Sequence, residues 1–350
     1  NPNKFVEGMS QDDWNILLES KNQPLANKAI SGNYPPGSTF KMIVAIAALE
    51  ANLIKPEEIF ECNGFYEIGE RKFHCWKYSG HGSTNLTKGI EESCDVYFYQ
   101  LAERVGIERI AKIAKKFGIG TPPELPLTGI SKGLIPSKSW KKINKKQQWV
   151  TGDTLNSGIG QGFTLSTPIQ IAIMTARIAT GFEIKPNLIK AIDGRPSIYD
   201  KKNTLGIKKS TLDIIRNAMF GVVNSKKGTA FNSRSINKNK ILVGKTGTSQ
   251  IRQISEEERK KGIIKNKNLP RNQRDHALFT GYAPFNNPKF SISVVVEHGG
   301  GGAKVAAPIA RDILLYALNG SIPSLLEYPI EERDKIDIII NNIRKEMISI

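Results

Sequence analysis

The fold is decided by an early stretch of the chain that reads Tyr34-Pro35-Pro36-Gly37-Ser38-Thr39-Phe40-Lys41. Its prolines and its glycine predict a turn, because proline lacks the N–H that a helix interior needs. The residues that follow, 42–49, are all apolar, and neither glycine nor proline returns before Pro56. The pattern therefore predicts a buried helix that begins at Ser38 and ends near Pro56.

Ser38 and Lys41 are three residues apart and would share one face of this helix. The free N–H groups and the dipole at a helix N-terminus favour developing negative charge. An amine that has lost water on an apolar helix can accept the proton of a neighbouring hydroxyl. The spacing suits a serine nucleophile with a lysine base, but the motif is short, and by itself it favours a serine N-cap followed by an unrelated lysine.

Further motifs follow in a fixed order and decide between these interpretations. They are Ser93-Cys94-Asp95 within the segment 91–99, the cluster Gly158-Ile159-Gly160-Gln161-Gly162, Lys245-Thr246-Gly247-Thr248 and Asp275-His276-Ala277. With the lead-in 34–37, they make residues 1 to about 318 resemble the transpeptidase domain of class B penicillin-binding proteins. Within that class the sequence is most similar to the elongation-specific group, penicillin-binding protein 2.

Mixed helical and strand-like patterns predict an α+β fold. The resemblance implies the fold of penicillin-binding proteins and serine β-lactamases, an antiparallel sheet flanked by helices with an inserted, mostly helical subdomain. It also implies an N-terminal membrane helix and a non-catalytic pedestal domain outside this sequence. The expected transpeptidase domain is 1–323, followed by a C-terminal tail, 324–350. Within the domain, the sheet-containing part is 1–60 and 205–323. The mostly helical insert is 61–204, and it includes a loop-rich metal-binding segment, 62–94.

The motif residues have expected roles. Ser38 would be the nucleophile and Lys41 its base, while Ser93 would pass a proton to or from the reacting amine. Lys245 would supply positive charge. Position 95 carries an aspartate, whereas asparagine is usual in the family as a whole. The penicillin-binding protein 2 group resembles this sequence in that respect. Asp95 could pair with either Lys41 or Lys245.

The last motif would bind the substrate. Thr246 and Thr248 can hydrogen-bond a carboxylate, and Gly247 lets a peptide lie along the strand as an added β partner. The resemblance implies that the backbone N–H groups of Ser38 and Thr248 form the oxyanion hole.

These roles predict a peptidoglycan D,D-transpeptidase that serves cell elongation and rod shape. Ser38 would attack the D-Ala-D-Ala bond of a stem peptide, and the amine of a second stem peptide would resolve the acyl-enzyme. β-Lactams would acylate the same serine. The resemblance implies a SEDS-family glycosyltransferase and the elongation machinery as partners, at the periplasmic face of the bacterial inner membrane. The alternatives are a D,D-carboxypeptidase or β-lactamase of the same fold, although no E-x-x-L-N loop of the class A β-lactamases occurs, or a β-lactam-sensing module.

A structural zinc ion is expected on Cys62, Cys75, His81 and Cys94. All three cysteines lie within this segment, with two of the four histidines, and four protein ligands close a tetrahedral shell. The resemblance supports the site, because some penicillin-binding protein 2 enzymes hold zinc here, with acidic residues at the positions of Cys62 and Cys75. His74 is the alternative fourth ligand. A Cys62–Cys75 disulfide with a buried Cys94 is the alternative to zinc.

The chain is strongly basic, with 50 Lys and Arg against 33 Asp and Glu and a formal net charge of +17. No nucleic-acid motif accompanies this charge, so we expect a solvated basic surface and no nucleic-acid partner; attraction to anionic lipid is a weaker alternative. No apolar run approaches the roughly 18 residues that span a bilayer. The highly charged segment 251–274 is expected to be a mobile excursion beside the Lys245 strand.

Overall fold

The computed structural model describes residues 3–196 and 203–348. The helices are α1 Lys4–Glu7, α2 Gln11–Glu19, α3 Lys28–Ser31, α4 Lys41–Glu50, α5 Leu86–Glu91, α6 Asp95–Val105, α7 Ile107–Lys116, α8 Lys138–Lys145, α9 Thr151–Gly158, α10 Pro168–Thr180, α11 Lys209–Asn224, α12 Glu256–Lys261, α13 Ala306–Asn319 and α14 Arg333–Ile348. The strands are β1 Phe60–Cys62, β2 Phe65–Ile68, β3 Arg71–His74, β4 Gly82–Thr84, β5 Ala191–Ile192, β6 Arg195–Pro196, β7 Val243–Ser249, β8 His276–Ala283 and β9 Phe290–Val296.

The main sheet is antiparallel, in the order β7-β8-β9. Its register places Gly247 of β7 opposite Leu278, and Thr280 of β8 opposite Ser293. Helices α10, α11 and α13 pack against these strands. Strand β9 pairs only with β8 among the described residues, and its β-branched side chains therefore stay partly exposed.

The predicted central helix is present, but it begins later than expected. A 3-10 turn spans Gly37–Phe40, and α4 starts at Lys41. Residues 41–49 are all buried, and α4 packs against α6 and α7 in the apolar core. The nucleophile candidate therefore lies on a tight turn in front of the helix.

The segment with the cysteines folds into two small antiparallel pairs, β1 with β4 and β2 with β3. The predicted interruption of the next helix lies at the second motif, between α5 and α6. Gly106 then separates α6 from α7, because it takes a positive φ of 78° that favours glycine.

The C-terminal segment, which we expected to be a tail, contains α14. Ile336 and Ile340 of this helix are buried with Leu315 and Tyr328 in a small apolar cluster of their own. The main core is continuous across the expected sheet and insert parts, since it joins Ile43, Phe98 and Leu314. Within the described ranges, no helix combines the length and the apolar character that crossing a membrane would require.

Candidate active site

The turn that carries Ser38 is tightly enclosed. From Pro36 to Leu49, Ser38 is the only residue that is not buried. Gly37 has a φ of +54° and donates its N–H to the carbonyl of Gly160 at 2.9 Å. A Cβ atom at Gly37 would lie 2.6 Å from the carbonyl oxygen of Thr248. Ser38 is thus the one partly exposed residue in a closely packed stretch.

Lys41 is fully buried and points at the second motif. Its Nζ donates to Oδ1 of Asp95 at 2.7 Å, to the carbonyl of Ser93 at 2.9 Å and to Oγ of Ser93 at 3.2 Å. It also lies 5.4 Å from the centre of the Phe98 ring. Of the two lysines that could pair with Asp95, Lys41 is the one that does so.

Ser93 lies in the gap between α5 and α6 with a φ of +59°. This left-handed conformation costs a non-glycine residue roughly 1–2 kcal/mol. The surrounding contacts hold it, because the Ser93 carbonyl accepts from Lys41 and also from Nε1 of Trp76 at 3.0 Å. Cys94 follows as the N-cap of α6, and its sulfur accepts the N–H of Tyr97 at 3.4 Å.

Trp76 contacts the second motif, although it lies outside the motifs of the sequence. Its backbone N–H donates to Oδ2 of Asp95 at 2.9 Å, and its indole N–H reaches the carbonyls of Glu92 and Ser93. Its ring contacts the His81 ring edge-on, at 5.6 Å between centres. The only signal in the sequence was its position directly after Cys75.

Lys245 is buried inside β7. Its burial, followed by the positive charge of Lys41, lowers its pKa well below the ordinary lysine value, while Asp95 acts in the opposite direction. Its Nζ donates to the carbonyl of Thr246 at 3.2 Å. Lys245 therefore adds a second buried amine to the site without a direct ion pair of its own.

The rest of the β7 motif faces close neighbours. The hydroxyls of Thr246 and Thr229 lie 2.8 Å apart, and Thr229 is a second residue that the motif search did not single out. A Cβ atom at Gly247 would lie 3.0 Å from Cγ2 of Thr39. Thr248 remains partly exposed and can reach a ligand.

The four proposed metal ligands come together. Cys62, Cys75, His81 and Cys94 are all buried, and their ligand atoms lie within 4.8 Å of one another. Nδ1 of His81 is 3.6 Å from the sulfur of Cys62 and 3.5 Å from that of Cys75. A tetrahedral zinc with ordinary bond lengths separates its nitrogen and sulfur ligands by about 3.6 Å. The donor set therefore fits zinc, and His74 is not part of it.

The thiols of this cluster are chemically coupled. Hydrogen bonds from Cys75 and then Cys94 lower the pKa of Cys62, whereas contacts with Cys62 and Cys75 raise the pKa of Cys94. None of the three cysteines forms a disulfide, and each is buried. Three adjacent thiols can all ionise only when a cation shares their charge.

The arrangement suits acyl transfer. Ser38 is partly exposed and lies three residues before the buried amine of Lys41, and that amine contacts a second hydroxyl, Ser93. Such a chain can take a proton from a nucleophile and return it to a leaving amine. Thr248, the one partly exposed residue of β7, offers a hydroxyl to a peptide.

Comparison with known proteins agrees with this architecture. Residues 1–315 match the family model of the penicillin binding protein transpeptidase domain. The chain is 36% identical over 346 residues to the peptidoglycan D,D-transpeptidase MrdA of Haemophilus influenzae, which covers 96% of this chain and 52% of that protein. It is 35% identical over 327 residues to MrdA of Escherichia coli strain K12, which covers 91% of this chain and 51% of that protein.

Solved structures are also similar. PBP2 of Pseudomonas aeruginosa, in complex with WCK 5153, superposes with a TM-score of 0.78 at 35% identity, covering 94% of this chain and 69% of that one. PBP2 of Helicobacter pylori, in complex with MreC, gives a TM-score of 0.77 at 34% identity, covering 91% and 56%. These likenesses confirm the predicted fold, which is that of the penicillin-binding proteins.

The chain belongs to the penicillin binding protein transpeptidase domain family, and its resemblance to the penicillin-binding protein 2 group is confirmed. It spans about half the length of the curated relatives that it matches.

Proposed function

We propose that these residues form the catalytic domain of a peptidoglycan D,D-transpeptidase of the elongation type. The observation that carries this proposal is the position of Ser38. It is the one accessible residue of a buried stretch, and the amine of Lys41, one turn along, contacts Ser93 and Asp95. The names of the MrdA relatives support the same reaction.

Acylation would proceed as follows. Oγ of Ser38 attacks the carbonyl carbon of the D-Ala-D-Ala bond, and the amine of Lys41 takes the hydroxyl proton. The tetrahedral oxyanion accepts hydrogen bonds from the backbone N–H groups of Ser38 and Thr248. Ser93 carries the proton to the departing amine, and the C–N bond breaks. The terminal D-Ala is released, and the rest of the stem peptide stays bound to Ser38 as an ester.

Deacylation would reverse the proton path. The amine of a second stem peptide attacks the ester carbonyl and passes a proton through Ser93 and Lys41 to Oγ of Ser38. A new amide forms, and the enzyme is restored. The substrate carboxylate would bind Thr246 and Thr248, with Lys245 supplying positive charge.

Acylation by benzylpenicillin tests this assignment. Intact mass spectrometry should show one adduct on the wild type and none on Ser38→Ala, while the exposed control Ser321→Ala should react as the wild type does. Lys41→Ala should lose the adduct and keep its fold. An adduct on Ser38→Ala would rule out the nucleophile. Product analysis with stem peptides then separates the reactions, because cross-linked product identifies a transpeptidase and water-cleaved product a carboxypeptidase.

The proposed partners follow from the relatives. A related H. pylori PBP2 is known in complex with MreC. A protein of a peptidoglycan synthase complex for polymerization and crosslinking is 29% identical, with a TM-score of 0.74. We therefore propose that the whole protein works with a SEDS-family glycosyltransferase and the elongation machinery, at the periplasmic face of the inner membrane. Peptidoglycan stem peptides and β-lactams would be its ligands.

We also propose that Cys62, Cys75, His81 and Cys94 hold one structural zinc ion. Four protein ligands close the shell, so the ion would supply folding energy, about 10–16 kcal/mol of apparent binding energy in small peptides. One of the four ligands belongs to the second motif, because Cys94 lies between Ser93 and Asp95.

Elemental analysis tests the zinc site with a matched pair of variants. The wild type and His74→Ala should each carry one zinc per chain, whereas His81→Ala should lose most of it. A protein without stoichiometric zinc, in which thiol titration finds one free cysteine of three, would instead indicate a Cys62–Cys75 disulfide.

A further inference from the structure

The glycine cluster at residues 158–162 has no role in the three-motif chemistry, yet it touches the nucleophile turn. The carbonyl of Gly160 accepts the N–H of Gly37 at 2.9 Å. A Cβ atom at Gly160 would lie 2.2 Å from the carbonyl oxygen of Gly37, so no larger residue fits there without backbone movement. This loop is therefore a backbone support directly behind Ser38.

Gln161 extends the contact to the substrate strand. Its side-chain Nε2 donates to the carbonyl of Thr248 at 3.0 Å. Because the partner is a carbonyl, the NH₂ end of the amide must face it. The backbone of Gln161 is itself anchored, since its N–H donates to the carbonyl of Asn156 at 2.9 Å near the end of α9.

Three backbone segments thus meet at Thr248. A Cβ atom at Gly37 would lie 2.6 Å from the oxygen of Thr248 and 3.3 Å from its nitrogen. The N–H of Thr248 is one of the two proposed oxyanion donors. A hydrogen bond on the Thr248 carbonyl limits rotation of this residue, and electrostatic stabilisation of an oxyanion depends on donors that are fixed before the reaction.

We propose that Gln161 is a positioning residue for the oxyanion hole, which it holds by fixing Thr248 against the Ser38 turn. This inference rests on the proposed function, because the hole acts only if Ser38 is acylated. The same hole stabilises two tetrahedral intermediates, one in acylation and one in deacylation. Loss of the Gln161 contact therefore slows both steps by a similar factor, whereas loss of a group that serves one amine alone changes one step.

The test compares Gln161→Met, which keeps the length of the side chain and removes the donor, with Gln161→Glu and with the exposed control Gln148→Glu. Stopped-flow measurements with a chromogenic β-lactam give the dissociation constant, the acylation rate constant and the deacylation rate constant. In Gln161→Met we expect both rate constants to fall about tenfold, below the hundredfold or more of a lost direct donor. The dissociation constant and melting temperature stay unchanged, and Gln148→Glu behaves as the wild type.

Each other outcome contradicts the proposal. Wild-type rates in Gln161→Met, a change in the dissociation constant alone, or a loss confined to one of the two steps would show that Gln161 does not act through the oxyanion hole. Gln161→Glu also lacks the donor and should slow both steps; if it fails to fold, Gln161→Met still decides. If benzylpenicillin does not acylate the wild-type protein at Ser38, the proposed function and this inference both fail. If the wild type is acylated and Gln161→Met behaves in the same way, only this inference fails.

Discussion

The carboxylate of Asp95 lies 2.7 Å from the ammonium group of Lys41, and both side chains are withdrawn from solvent. The second oxygen of Asp95 accepts the backbone N–H of Trp76. Lys245, also buried, has no carboxylate of its own. Among the described residues, Asp95 is the carboxylate that pairs with Lys41, and its charge also opposes the lowering of the Lys245 pKa.

Removal of this charge should destabilise the protein. Asp95→Asn leaves Lys41 buried without its counter-ion, and breaking a buried ion pair from one side costs about 3–5 kcal/mol. Urea denaturation should show a loss of this order in the free energy of unfolding. The exposed control Asp12→Asn should change it little. A stability of Asp95→Asn equal to that of the wild type would mean that the Lys41 charge is compensated elsewhere.

Lys245 predicts a pH dependence of stability. Its pKa is lowered in the folded protein, mainly by burial. Between the folded pKa and the unfolded value of about 10.4, the unfolded chain binds more protons, so the free energy of unfolding rises with pH. This contribution is complete above the unfolded value and is lost as pH falls through the folded one.

Denaturation curves across the alkaline range should therefore rise more steeply with pH for the wild type than for Lys245→Met. The exposed control Lys226→Met should follow the wild type. Parallel curves for the wild type and Lys245→Met would contradict the lowered pKa.

Trp76 should support the geometry of Ser93. Trp76→Phe keeps an aromatic ring and removes the indole N–H that donates to the Ser93 carbonyl. We expect acylation by benzylpenicillin to slow by up to about tenfold, the effect of one hydrogen bond. Trp14→Phe, in α2, is the matched control. A reduced rate that accompanies loss of zinc would indicate damage to the metal site instead.

The segment 251–274 remains predicted to be mobile, although the structure gives it internal contacts. Both terminal nitrogens of the Arg252 guanidinium donate to the carboxylate of Glu258, at 2.5 and 2.6 Å. This bond, with the N–H of Ile264, lowers the pKa of Glu258 to about 2. Hydrogen exchange should be faster in this segment than in β9, and faster still in Glu258→Gln.

Glu257 provides the control for this experiment, because its pair with Lys261 is largely exposed. Glu257→Gln should leave the exchange of the segment unchanged. Exchange as slow as that of residues 292–296 would contradict the predicted mobility.

The sequence predicts the parts of the site that motifs encode. Ser38, Lys41, Ser93 and Lys245 are predicted site residues because each belongs to a short motif, and the helices and strands around them follow from apolar periodicity. The sequence analysis predicts a tail for 324–350 and does not predict the C-terminal helix α14.

Contacts between distant segments could not be predicted in this way. Nothing local to Gln161 indicates that its amide reaches Thr248, 87 residues later. The partner of Asp95 was equally open, because two lysines were chemically suitable. These contacts are determined by how α4, α6 and β7 pack against their neighbours. The apolar periodicity of a single element does not predict that packing.

If β-lactams acylate Ser38 as proposed, the enclosure of this serine also restricts the routes to drug resistance. Every neighbour of this serine from Pro36 to Leu49 is packed, and Gly37 and Gly160 have no room for a side chain. Substitutions there would harm the fold before they could discriminate an antibiotic from a natural substrate. Variation is therefore expected outside this turn, at exposed positions that make none of the contacts described above.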